Sequence, residues 1–125
     1  MKKILCICAY GRNRSKYLAK YLKRKGYQTR FAGMEIDEKN PVNQKLITQN
    51  DIDWADLIIF VKPRLEQLFK EKYKFNKKTI TIKVTDVKEL IPEEFAHLRK
   101  LPEKEFQKKW TYTQLRRAIK KYMPL

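Results

Sequence analysis

A cysteine, five further residues, an arginine and a serine follow one another in Cys8-Ala9-Tyr10-Gly11-Arg12-Asn13-Arg14-Ser15, directly after the apolar run Ile4-Leu5-Cys6-Ile7. Ser15 is the only serine of the chain, and Arg14 is one of eight arginines. A thiol at the end of a strand, a short loop with a glycine, and an arginine where a helix begins are the parts needed to hold a phosphate against a nucleophile. The amides of Ala9, Tyr10, Gly11, Arg12, Asn13 and Arg14 can turn inward as a nest for an anion, aided by the positive end of the following helix. The same field favours the thiolate of Cys8, the form in which a cysteine attacks. Arg14 supplies a planar fork for two phosphate oxygens and can follow their charge into the transition state, which a lysine cannot do geometrically. Ser15 can donate its hydroxyl to the sulfur when Cys8 must leave, and Gly11 permits a positive φ or a close backbone approach. Cysteines as small buried hydrophobes and arginines as surface charges account for the composition, but not for this spacing.

These residues need a frame. Ile4 to Ala9 is a continuous apolar run, as expected for a central strand buried on both faces. From about residue 14 to 25, Tyr17, Leu18, Tyr21 and Leu22 recur at helical spacing, and Gly26 stands where a helix-ending glycine belongs. Tyr27 to Ala32 reads as a second strand ended by Gly33, followed by a surface loop over 35–40 and a helix from Pro41 to about Gln49. Ala55 to Val61 reads as a third buried strand, and Pro63 opens a helix with Leu65, Leu68 and Phe69 on one face. Thr79 to Val84 makes a fourth strand, leading into the loop Thr85-Asp86-Val87. A short helix is expected over 92–99, and a last one carries Leu115, Ala118, Ile119 and Tyr122. This alternation predicts an α/β three-layer sandwich: a four-stranded parallel sheet with helices on both faces and ligands at the carboxyl ends of the strands. Cys8 and Asp86 both fall at such ends. A length of 125 residues suits one domain, residues 1–125.

Thirty lysines and arginines against fourteen acids give a net charge of +16, spread along the chain, so partners should be anionic. Nucleic acid, phosphoproteins, phosphorylated small molecules and an acidic membrane surface all qualify. Cys6 and Cys8 are read as facing opposite sides of the strand and poorly placed for a mutual disulfide. The first apolar stretch stops at Ala9, too short for a secretory or membrane segment, so a cytoplasmic protein with reduced thiols is expected. Ser15 has no nucleophile elbow around it, which disfavours a serine hydrolase. The two cysteines and the single histidine, His97, do not match zinc spacing, so no metal is expected and His97 reads as a helix-surface residue.

The strand, the C-x5-R-S loop and the helix over Ile4 to Leu22 resemble the low-molecular-weight protein tyrosine phosphatases. The resemblance continues in Phe31-Ala32-Gly33 and in Asp53-Trp54-Ala55-Asp56 with the strand after it, and weakens beyond about residue 90. It implies a flavodoxin-like strand order 2-1-3-4, no cofactor, and hydrolysis of a phosphorylated protein or small phosphate monoester of the phosphotyrosine type. It further implies attack by Cys8 to give a phosphocysteine, with an aspartate protonating the leaving oxygen and then activating water. Asp86 occupies the comparable place, while a turn or cap aspartate is its bland reading. The family pattern is departed from at Val87-Lys88, where proline and aromatic residues are usual, at Gly11 for the frequent asparagine, and at Asn13 for the frequent second loop cysteine. With only Cys6 left over, the arsenate-reducing chemistry of related proteins is not expected. Tyr10 reads equally well as a stacking partner for an aryl substrate and as an exposed loop residue. The alternative from another class is a basic module that holds a phosphate without hydrolysing it, with Tyr73-Lys74-Phe75 and Lys109-Trp110-Thr111-Tyr112 offered as stacking platforms for nucleic acid.

Overall fold

In the structure, a computed structural model describing residues 2–125, the apolar run becomes β1 (Lys3–Cys8), buried from Ile4 onward. It is followed by α1 (Arg14–Arg24), β2 (Gln28–Gly33), α2 (Gln49–Trp54), β3 (Leu57–Phe60), α3 (Pro63–Lys72) and β4 (Lys78–Thr81). Two 3₁₀ segments, Lys88–Leu90 and Glu93–Lys100, lead to a final helical stretch in which α4 (Glu103–Phe106) runs through a π-helical turn (Gln107–Thr111) into α5 (Tyr112–Lys120). The sheet order is β2-β1-β3-β4 and every pairing is parallel, with Cys8 opposite Gly33 and Ile7 opposite Phe60. The predicted α/β sheet and its 2-1-3-4 order are therefore the observed ones.

The chain moves from β1 outward to β2 and later from β3 outward to β4 on the other side. Right-handed crossovers then place α1 and α3 on opposite faces. β1 and β3 are the central strands and have no polar side: Ile4, Leu5, Cys6 and Ile7 are fully buried, as are Ile58, Ile59 and Phe60. Leu18 and Leu22 of α1, Leu65 and Phe69 of α3, and Leu115 and Ile119 of α5 close over them. A smaller cluster of Ile91, Phe106 and Trp110 sits apart from this core.

Four expectations need correction. No helix runs from Pro41 to Gln49. Asn43 has φ 62°, and Leu46 forms a parallel bridge with Gly33, whose amide donates to the Lys45 carbonyl at 2.7 Å. The helix starts at Gln49 because Thr48 and Asp51 form a reciprocal capping box, each side chain accepting from the other's amide at 3.2 Å. The fourth strand ends at Thr81, before the expected Val84, although Ile82 and Val84 stay buried. Cys6 and Cys8 share one face of β1, since residues two apart in a strand point the same way. Burial, with Cys8 nearby, pushes the Cys6 thiol well above its ordinary range, and both cysteines are free. The short helix over 92–99 is a 3₁₀ segment, on which His97 is exposed.

Candidate active site

The loop leaving β1 wraps around its own cysteine. Cys8 is 3% exposed; its Sγ lies 3.0 Å from Ser15 Oγ and accepts the Gly11 amide at 3.2 Å. Ser15 is in the first turn of α1 and fully buried, so its hydroxyl is held against the sulfur. The loop can close this tightly because two glycines face each other. Gly11 has φ 67°, and a Cβ there would sit 2.1 Å from the Lys45 carbonyl oxygen; one on Gly33 would sit 2.4 Å from the Tyr10 carbonyl carbon. The end of β2 is thus the wall against which the loop lies, and Met34 and Glu35 donate their amides to Cys8 and Ala9 carbonyls at 3.1 and 2.8 Å.

Arg14, the first residue of α1, is buried. Its Nη1 donates to the Val84 carbonyl at 2.8 Å, while its Nε, 3.5 Å from Asp86 Oδ2, has no hydrogen-bond partner. The carbonyl of the segment after β4 therefore aims the guanidinium, whose buried Nε is left facing Asp86. Cys8, Arg14 and Asp86 line one pocket of about 350 Å³, together with Tyr10, Arg64 and Val87. Asp86 is its only carboxylate among the described residues. Arg64, from the first turn of α3, is paired with Glu35 at 2.7 Å. Arg12 turns aside: its Nη2 donates to Asp37 Oδ2 at 3.0 Å and to the Asn40 carbonyl at 2.7 Å, which ties the loop to the segment after β2. Tyr10 stands at the mouth, 40% exposed, with the Arg12 guanidinium 5.5 Å from its ring centroid.

Asn13 is more than a backbone donor. Its Nδ2 donates to Asp86 Oδ2 and to Gln107 Oε1, both at 2.9 Å, and its Oδ1 accepts the Tyr112 hydroxyl at 2.8 Å. Gln107 Nε2 reaches the Asp86 carbonyl at 3.3 Å, and Trp110 Nε1 donates to the Thr85 carbonyl at 3.0 Å. The π-helical turn thus holds both sides of the loop that carries Asp86, in keeping with the frequent occurrence of such turns at functional sites. Tyr112 is itself fixed by a parallel stack on Tyr17, with centroids 4.0 Å apart. Burial, then Tyr17 and Asp86, push its phenol above the ordinary range, which keeps it a donor.

Gln107, Tyr112 and Arg64 are site residues that sequence reasoning missed. Their contacts with the loop are tertiary, and no local spacing announces them. The offered stacking platforms are also absent: Trp110 is buried on Phe95, Tyr112 lies on Tyr17, and Tyr73 and Phe75 pack on Phe69. Among the described residues no cluster of histidine, cysteine and acidic side chains is placed to hold a metal, and no helix is long and apolar enough to cross a membrane. Chemically, the pocket has a composition suited to an anion, with a hydrogen-bonded sulfur, arginines and one carboxylate lining it among the described residues.

No protein-family model and no curated protein sequence matches the chain. Solved structures match it over nearly its whole length. A low molecular weight protein tyrosine phosphatase from T. tengcongensis aligns at 15% identity over 98% of both chains with a TM-score of 0.65. Its counterpart from Streptococcus pyogenes aligns at 14% identity over 98% of this chain and 91% of its own, also with a TM-score of 0.65. An arginine phosphatase from Geobacillus stearothermophilus aligns at 19% identity over 98% of this chain and 90% of its own, with a TM-score of 0.56. The chain therefore has the fold of the low molecular weight protein tyrosine phosphatases from end to end, including the part beyond residue 90 where the resemblance in sequence fades.

Proposed function

We propose that the protein is a cysteine-dependent phosphatase that hydrolyses phosphate monoesters of the phosphotyrosine type through a phosphocysteine on Cys8. The observation that carries this reading is the convergence of Cys8, Arg14 and Asp86 on one pocket, with Ser15 Oγ and the Gly11 amide on the sulfur. The phosphate sits over the loop between Ala9 and Arg14, and the Cys8 thiolate attacks phosphorus as the P–O bond to the leaving group breaks. Arg14 draws the equatorial oxygens toward itself, and Asp86 passes its proton to the departing oxygen. Asp86, now a carboxylate, takes a proton from water as that water attacks the phosphocysteine. The sulfur leaves as a thiolate, accepting hydrogen bonds from Ser15 and Gly11. Asn13, Gln107 and Tyr112 hold Asp86 for both steps, so residues 1–125 work as one domain in this reading.

The charge of the pocket bears on the leaving group. Arg12 and Arg64 are paired with Asp37 and Glu35, and the one carboxylate lining the pocket among the described residues, Asp86, stands beside Arg14, so no free carboxylate awaits a guanidinium and a phosphoryl group on a neutral or acidic carrier suits the pocket better. Purified protein should release phenol from an aryl phosphate, and Cys8→Ser should abolish that release. Turnover that survives the substitution overturns the mechanism, and binding of phosphate without any turnover by the unaltered protein favours a non-catalytic phosphate-binding module instead.

A further inference from the structure

A second cleft, of about 360 Å³, adjoins the pocket that holds Cys8. The segment after β4 is the wall between them: Val84 and Thr85 line the second cleft, while Asp86 and Val87 line the first. Lys62 and Lys83 stand in it, opposite the apolar surfaces of Leu90 and Trp110. Neither lysine forms an ion pair among the described residues, and Lys83 is exposed at the mouth of the cleft. Lys62 caps the start of α3 without a side-chain cap contact, half-buried, and burial together with Arg14 and Lys83 lowers its ammonium below the ordinary range, only partly offset by Asp86. Cationic groups crowded together with one carboxylate among them are electrostatically incomplete, and an anion completes them. The rim joining the two clefts is apolar and open, with Val87 43% and Leu90 64% exposed.

We propose that this cleft is a subsite for a second anionic group of the substrate, so that the preferred substrate is a phosphorylated polypeptide with an acidic residue close to the phosphorylated one. The proposal rests on the phosphatase reading for its first pocket. The phosphate enters over Cys8, the chain crosses Val87 and Leu90, and the neighbouring carboxylate reaches Lys62 and Lys83. The charge pattern of the protein then has a local use beyond its long-range field.

The test measures binding of two phosphotyrosyl peptides, one flanked by acidic residues and one by alanines, to Cys8→Ser protein at physiological ionic strength. The acidic peptide should bind about fivefold tighter, the size expected of a partly exposed ion pair. Adding Lys83→Glu should erase that advantage, whereas Lys78→Glu, an equal charge change at the amino end of β4, should leave it. Equal affinity for the two peptides, no binding of either, or an equal loss from both lysine changes overturns the proposal. Turnover of aryl phosphate by the unaltered protein is scored separately. Turnover with no preference between the peptides sinks the subsite alone, and a Lys83-dependent preference without turnover sinks the hydrolytic reading alone.

Discussion

Asp86→Asn separates the chemical role of this side chain from its structural one. The carboxylate is half-buried, accepts from Asn13 at 2.9 Å and lies 3.5 Å from the Arg14 Nε. An asparagine has the same shape, and its amide oxygen can still accept from Asn13. What is lost structurally is one weak ion pair at a partly exposed site, about 0.5 kcal/mol or less, so melting should be nearly unchanged. What is lost chemically is the only carboxyl group lining the pocket among the described residues, and general acid catalysis contributes about 100- to 10,000-fold. That factor applies only where the leaving oxygen needs a proton. The assay is kcat for phenyl phosphate, a poor leaving group, beside kcat for a nitrophenyl phosphate, whose leaving group departs readily as an anion. The variant should lose about 100-fold or more with the first when bond cleavage limits the rate, and far less with the second. An equal loss with both substrates, or none with either, would refute the assignment of Asp86 and return it to a cap residue of the loop after β4.

Two further outcomes follow from the packing around the loop. Gly11→Ala forces a Cβ to within 2.1 Å of the Lys45 carbonyl at φ 67°, so it should cost about 2–3 kcal/mol or more, seen as a fall in denaturant midpoint; an unchanged midpoint would mean that the loop does not lie on β2. Tyr112→Phe keeps the stack on Tyr17 but removes the donor to Asn13 Oδ1, for about 1 kcal/mol. Because the folded phenol titrates above its ordinary value, its contribution is complete below the unfolded value near ~10 and fades as pH rises through the folded one. The unaltered protein should therefore lose stability in alkali more steeply than Tyr112→Phe, and parallel curves would contradict the contact.

The loop from Cys8 to Ser15 was legible because its information is local: Cys8, Arg14 and Ser15 are seven positions apart at most, and the strand before them and helix after them carry strong apolar periods. The same holds for β3 and for α3 behind Pro63. The misplaced second helix shows the limit of a single signal. Pro41 can open a helix, but the capping box of Thr48 and Asp51 offers two satisfied amides, and the bridge from Leu46 to Gly33 holds the intervening chain extended. Gln107 and Tyr112, which meet the side chain of Asn13, were out of reach for another reason. Their contacts span 94 and 99 residues, and periodicity within one element carries no trace of partners that distant. The two stretches that resembled stacking platforms had the right composition, yet burial on Phe95, Tyr17 and Phe69 uses those rings internally.

The central claim is covalent chemistry at Cys8, and the covalent state itself is the most direct thing to measure. Protein mixed with an excess of aryl phosphate, quenched in acid within a turnover and digested, should yield a peptide from the Cys8–Ser15 loop carrying one phosphoryl group on the cysteine, absent from Cys8→Ser protein treated identically. Phenol released in the same samples with no phosphoryl group on Cys8, or with one on another residue, would contradict the account.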